Sequence, residues 1–116
     1  MTPEAKILRS ICRYLDGLES LCYYMKLRGG PYSVRGLPDI VGVFNGHFFA
    51  LEVKASKGEV TPLQAHTLRK IYEAGGAASV VRSVKDVEKI IWALDRLGSR
   101  GIICASRVTK GGPYHV

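Results

Sequence analysis

Asp39, Glu52 and Lys54 lie on the two sides of an Asn45-Gly46 dipeptide. Asn-Gly between two apolar, strand-like runs is a strong hairpin signal, because both residues tolerate the positive φ of a type I′ turn. With Asn45 and Gly46 as the two turn residues, Phe44 faces His47, and counting outward in pairs sets Asp39 directly opposite Glu52. Lys54 lies two residues beyond Glu52 and projects from the same face, while Val53 points the other way. Like charges opposed on a sheet destabilise it, so a divalent cation is the natural partner for the two acids. Carboxylates suit Mg²⁺ and Mn²⁺, which prefer oxygen ligands, and the backbone carbonyl of Val53 is a further oxygen within reach. Two carboxylates and an ammonium at a strand end suit metal-assisted phosphodiester hydrolysis. The metal polarises the phosphate and activates a water, and Lys54 orients that water or offsets charge on the phosphorane.

The elements that must position this trio follow from pattern and punctuation. Thr2-Pro3 is an N-cap followed by Pro at the first helical position. Ile7, Leu8, Ile11, Cys12, Leu15 and Leu18 recur at helical spacing, so a first helix is expected over residues 3–16. Glu4 shares a face with Leu8, Ile11 and Leu15. Taken alone, it is better explained as an acid favouring the positive end of the helix dipole. Residues 20–27 read as a first strand, and the hairpin supplies strands at 39–44 and 47–54. Thr61-Pro62 repeats the helix-start signal, with Leu63, Leu68, Ile71 and Tyr72 as the stripe and Gly75-Gly76 as the stop. Residues 77–81 are β-prone. Ser83 with Asp86 approximates a capping box and opens a third helix through Leu97, with Val84, Val87, Ile90, Ile91 and Leu94 as its stripe and Trp92 beside it. The order αβββαβα, with a connection long enough for a parallel crossover, predicts an α/β domain in which a mixed β-sheet is flanked by helices. Residues 98–116 are read as a possible strand at 102–105 and a mobile tail.

The 116 residues fit a single domain. Lys and Arg number 17 against 10 Asp and Glu, a net charge of +7 that favours a polyanionic partner. No apolar run approaches the ~20 residues needed to span a bilayer, and Glu4 in an amphipathic N-terminus argues against a signal peptide. Cys12, Cys22 and Cys104 are scattered and odd in number, which speaks against a disulfide framework or zinc site and suits the cytosol.

Four motifs in order give the chain a family resemblance. They are Gly36-Leu37-Pro38-Asp39 after a basic Gly-rich loop, Glu52-Val53-Lys54, Thr61-Pro62-Leu63-Gln64, and Gly75-Gly76. Together they resemble the virus-type replication-repair nuclease domain, VRR-NUC, of the PD-(D/E)xK nuclease superfamily, over most of the chain. The resemblance implies a restriction-endonuclease-like core and a Mg²⁺- or Mn²⁺-dependent DNA endonuclease. Asp39, Glu52 and the Val53 carbonyl would be metal ligands and Lys54 the catalytic lysine. Glu4 would reach the metal directly or through water, which reverses the reading it receives alone. Gln64 would position water or Lys54. Short members of this kind look like homodimers that cut branched DNA such as Holliday junctions, in phage- or bacterium-type soluble proteins.

Around this centre, Lys26, Arg28, Arg35, Lys57 and Arg69 are candidate phosphate contacts, since cations must flank a cleaved backbone. Tyr24 and Tyr32 are candidates for base stacking, Tyr24 equally for a core position. His47 lies at the far end of the hairpin from Asp39, so no metal role is expected of it; His66 and His115 carry no pattern. Two alternatives remain at this level: a nicking or flap nuclease acting on simpler DNA, and a non-catalytic DNA-binding module.

Overall fold

The computed structural model describes residues 1–28 and 34–99. Tyr32, Cys104, His115, the expected strand at 102–105 and the tail lie outside the described residues. Among those described, the order is α1 (Pro3–Asp16), a 3₁₀ turn (Glu19–Leu21), β1 (Cys22–Lys26), β2 (Ile40–Phe44), β3 (His47–Val53), α2 (Pro62–Glu73), β4 (Ala77–Val81) and α3 (Val84–Arg96). The four strands form one sheet in the order β1-β2-β3-β4. β1 and β2 are antiparallel, as are β2 and β3, whereas β3 and β4 run parallel, with α2 as the crossover. This is the mixed sheet with flanking helices that the pattern predicts.

The turn sets the register as expected. Asn45 and Gly46 both have positive φ, 49° and 89°. Phe44 pairs with His47 and Ile40 with Leu51, so the next facing positions are Asp39 and Glu52. One sheet face is apolar and covered: Ile40, Phe44, Phe49, Leu51, Val53 and Val81 pack with Leu8, Ile11 and Leu15 of α1 and Val87, Ile91 and Leu94 of α3. The opposite face carries Glu52, and α2 lies over its β3–β4 side.

Helix starts follow the caps. The Thr2 hydroxyl accepts from the Ala5 amide and opens α1. At α2, Thr61 accepts from the Gln64 amide while the Gln64 side chain accepts from the Thr61 amide, a reciprocal capping box. Ser83 caps α3 through the Asp86 amide, but the Asp86 carboxylate reaches back to the Arg82 amide, so the box there is displaced by one residue.

Two local expectations change. The first strand begins at Cys22, not Ser20, because Glu19 takes a positive φ of 55° and the chain closes a 3₁₀ turn through the Leu21 amide and Leu18 carbonyl. Of the α2 stripe only Leu68 is buried; Leu63 is 48% and Tyr72 70% exposed. α2 packs mainly over β4 and β3, so periodicity overstates how much of the helix finds a sheet beneath it. Tyr24 is structural: its hydroxyl donates to Asp16 Oδ1 at 2.7 Å and lies 3.3 Å from the Cys12 carbonyl. His47 Nε2 meets the Gly98 carbonyl at 2.7 Å, tying the hairpin turn to the end of α3.

Gly42 sits mid-β2 between Tyr24 and Phe49, its partners on either side. A Cβ there would lie 2.6 Å from both Phe49 Cζ and the Tyr23 carbonyl, and 2.9 Å from Tyr24 Cβ. Two of these neighbours are fixed by the sheet, so the strain is not easily relieved. Gly42→Ala is expected to destabilise the fold by about 2 kcal/mol, read as a lower urea midpoint at unchanged slope.

Candidate active site

The site is built at the end of the hairpin farthest from the turn. Glu52 is 1%, Asp39 5% and Lys54 9% exposed. Burying three ionisable groups is costly unless they are bonded, and the bonds account for nearly every oxygen. Asp39 Oδ2 accepts from the Val53 amide at 2.7 Å, bracing the end of β2 against β3. Asp39 Oδ1 receives Arg28 Nε at 2.7 Å. Glu52 Oε2 accepts from Gln64 Nε2 at 3.1 Å and faces Lys54 Nζ at 3.5 Å. Glu52 Oε1 is buried and has no hydrogen-bond partner among the described residues.

Burial raises the Glu52 carboxyl from its ordinary 4.5 to about 7, and the negative charge of Asp39 adds to the rise; Lys54 and Arg28 pull the other way without cancelling it. The site thus holds more acid than its own cations neutralise. Arg28, partly buried, loses solvation, yet Asp39 and Glu4 more than offset this and its guanidinium pKa is raised.

Local sequence explains the placement. Gly36 has a φ of 87°, and a Cβ on it would lie 2.5 Å from Leu63 Cγ. Glycine is therefore required twice over in the Gly-Leu-Pro-Asp stretch, for its backbone and for the close approach of the first turn of α2. Leu63, which is not a core residue, packs here. Gln64, one residue on, closes the α2 capping box with its Oε1 and holds Glu52 with its Nε2. Lys54 is anchored by its amide to the Val81 carbonyl at 3.0 Å. The loop beyond is held by Arg82 Nη1, which donates to the Ala55 and Gly58 carbonyls at 2.6 and 2.8 Å.

The structure brings Asp39, Glu52, Lys54, Val53 and Gln64 together. Glu4 joins them indirectly: its Oε1 accepts from Arg28 Nη2 at 3.0 Å, and its Oε2 lies over Gly58. Among the described residues no three His, Cys, Asp or Glu side chains form a metal-holding group. Arg28 points into the site at the two acids. Lys26, Arg35, Lys57 and Arg69 are exposed and form no ion pair with a described residue.

Sequence reasoning missed three contributions. The grip of Arg28 on Asp39 and Glu4 depends on the β1–β2 register, and the long connection between those strands gives no turn from which to count it. Arg82 acts from the end of β4, with no motif around it. The capping-box signature at Thr61 and Gln64 was readable, but its reach to Glu52 was not.

The donor set fits a divalent cation. Two opposed carboxylates, one with a buried oxygen lacking a hydrogen-bond partner among the described residues, are the oxygen-rich, electron-rich environment that Mg²⁺ or Mn²⁺ takes, usually through one or two carboxylates with waters and phosphate completing the shell.

Solved structures share the architecture. One, described as "VRR_NUC domain", superposes with a TM-score of 0.64 at 24% identity, covering 79% of this chain and 97% of that one. Another, described as "VRR_NUC domain protein", gives a TM-score of 0.64 at 15% identity, covering 85% and 93%. No profile of a known sequence family matches the chain, and no curated protein does. The fold is therefore that of a VRR-NUC domain, a restriction-endonuclease-like α/β architecture.

Proposed function

We propose that the chain is a nuclease of the VRR-NUC kind, a Mg²⁺- or Mn²⁺-dependent endonuclease that hydrolyses phosphodiester bonds in branched DNA such as Holliday junctions. The observation that carries this reading is the β2–β3 register, which continued by one pair sets Asp39 against Glu52 beside Lys54, with Glu52 Oε1 buried and without a hydrogen-bond partner among the described residues. Asp39, Glu52 and the Val53 carbonyl would hold the cation, with Glu4 acting at the edge of the site. A divalent cation held there supplies positive charge against the phosphate and a more acidic bound water.

The chain's own residues do the rest. Gln64 and Lys54 share Glu52 Oε2, which leaves the buried Oε1 as the oxygen that would take the cation. Lys54, anchored to β4 by its amide, orients the attacking water and offsets charge that develops on the phosphorane. The exposed Lys26, Arg35, Lys57 and Arg69 carry the DNA backbone. The net charge of +7 supports a polyanionic substrate.

A homodimer would place two such sites on the two strands of a symmetric junction. The half of the sheet face not covered by α2 supports it: Tyr23 pairs with Val43, and Val43 with Phe48, and all three are exposed, as is Met25. No helix among the described residues is long and apolar enough to cross a membrane, and the free Cys12 and Cys22 suit the reducing cytosol.

The test is a cleavage panel. A four-way junction, a flap and a linear duplex are incubated with Mg²⁺, Mn²⁺ or EDTA. Metal-dependent cutting of the junction, at least about tenfold faster than of the duplex, is expected. Equal cutting of all three would move the assignment to a simpler nicking or flap nuclease. Tight binding with no cutting under any metal would make the chain a DNA-binding module.

A further inference from the structure

Arg28 bridges two acids at the centre of the site. Its Nε forms an ion pair with Asp39 Oδ1 at 2.7 Å, and its Nη2 donates to Glu4 Oε1 at 3.0 Å. A guanidinium presents its donors in a rigid planar fork, so acids from the first helix and from the start of β2 are held across a single cation. Asp39 Oδ2 is held by the Val53 amide, and Glu52 Oε2 by Gln64 and Lys54. Among the buried side-chain oxygens of the described residues, Glu52 Oε1 is the one without a hydrogen-bond partner.

We propose that Arg28 stands in for the metal: its guanidinium occupies Asp39 Oδ1 in the metal-free protein, and a divalent ion that takes Asp39 as a ligand must displace it. The inference rests on the metal-centre reading above. An ion bound to Asp39 Oδ1 would sit about 2.0–2.6 Å from it, on an oxygen that already receives Arg28 at 2.7 Å. Two cations crowded onto one carboxylate oxygen repel, and the one with a route to water leaves. Arg28 has that route, since its side chain is 33% exposed. The exchange also improves the charge balance. Glu4, Asp39 and Glu52 face Arg28 and Lys54; replacing the guanidinium by a doubly charged ion matches the three acids. An arginine that served only as a structural tie would instead remain on Asp39 with the metal bound. Arg28 is thus a positioning residue that keeps the acids ordered before the metal arrives and sets a threshold for metal loading.

The test measures metal binding, not cleavage. MnCl₂ is titrated calorimetrically into the full chain as wild type, Arg28→Ala, Arg28→Lys and Asp39→Asn at one pH and salt concentration. Removing the competitor is expected to tighten Mn²⁺ binding by about tenfold in Arg28→Ala, the change that about 1.4 kcal/mol produces. Arg28→Lys should fall between, and Asp39→Asn should bind weakly. Unchanged or weaker binding in Arg28→Ala, with wild type binding and Asp39→Asn not, overturns the displacement while leaving the metal centre intact. Absence of Mn²⁺ binding in both wild type and Arg28→Ala overturns both. Should Arg28→Ala fail to fold by circular dichroism, ¹⁵N-labelled wild type decides: the Arg28 Nε–H resonance, assigned by its loss in Arg28→Lys, is expected to lose protection on saturation with diamagnetic Ca²⁺. A resonance that stays protected overturns the proposal.

Discussion

Asp39→Asn is expected to lower junction cleavage by about a thousandfold or more, equivalent to about 4 kcal/mol of barrier, with the fold retained. Asp39 has two separable jobs. Its Oδ2 accepts from the Val53 amide at 2.7 Å and braces the strand ends, while its Oδ1 supplies charge toward Arg28 and, in the functional reading, toward the cation. An asparagine keeps a carbonyl oxygen for the Val53 amide, so the brace survives. Its NH₂ group then faces the Arg28 guanidinium, donor against donor, and the negative corner is gone. Lys54→Ala should also abolish cleavage but leave Mn²⁺ binding within a few fold of wild type, because Lys54 faces Glu52 Oε2 and not the oxygen left open. The pair of variants therefore separates holding the ion from using it. Cleavage above about a tenth of wild type in either folded variant, a loss of under about 1.4 kcal/mol, would place the chemistry elsewhere.

What could be read without coordinates was what local chemistry fixes. Asn45 and Gly46 take the two positive φ values that a type I′ turn needs, and a two-residue turn leaves one register. That alone sets Asp39 opposite Glu52. The three helix starts were legible because Thr2, Thr61 and Ser83 satisfy amides within their own first turns. The unread parts depend on distance in sequence. Arg28 reaches Glu4 on a helix far upstream and Asp39 beyond a long loop, so no count of residues brings them together. Tyr72 lies one helical turn beyond the buried Leu68 yet is exposed, because periodicity identifies a face without saying how far the sheet beneath it extends. Gln64 was expected to act on water or Lys54. Its Nε2 donates to Glu52 Oε2, the oxygen that Lys54 also faces, and only the depth at which α2 docks decides that.

Metal-free protein is expected to lose stability as pH rises from about 5.5 to 8.5, and Glu52→Gln is expected to remove most of that loss. Burial, then the charge of Asp39, hold the folded-state Glu52 carboxyl near 7 against an ordinary 4.5. The groups facing it are Asp39 at the entry to β2, Lys54 at the end of β3, Arg28 after β1 and Gln64 on α2. Between 4.5 and 7 the folded chain keeps a proton that the unfolded chain has released, so stability falls with rising pH. The favourable contribution is complete below 4.5 and is lost as pH passes through 7. At about 1.4 kcal/mol per pH unit, the part of that span lying above pH 5.5 amounts to about 2 kcal/mol. Glutamine has nearly the same shape, remains neutral, and still offers an oxygen to Gln64 and Lys54. Urea unfolding in EDTA at pH 5.5 and 8.5 reads the difference, and at the higher pH the variant should be the more stable of the two. Saturating Mn²⁺ should reverse the order, because ionised Glu52 then gains the cation that its buried oxygen lacks, whereas the amide offers a weaker ligand. A wild-type chain whose metal-free stability is flat across this range, or a variant that loses as much as wild type, would show that Glu52 is already ionised and neutralised by Lys54 and Arg28 alone, and the electrostatic case for a cation at this site would fall with it.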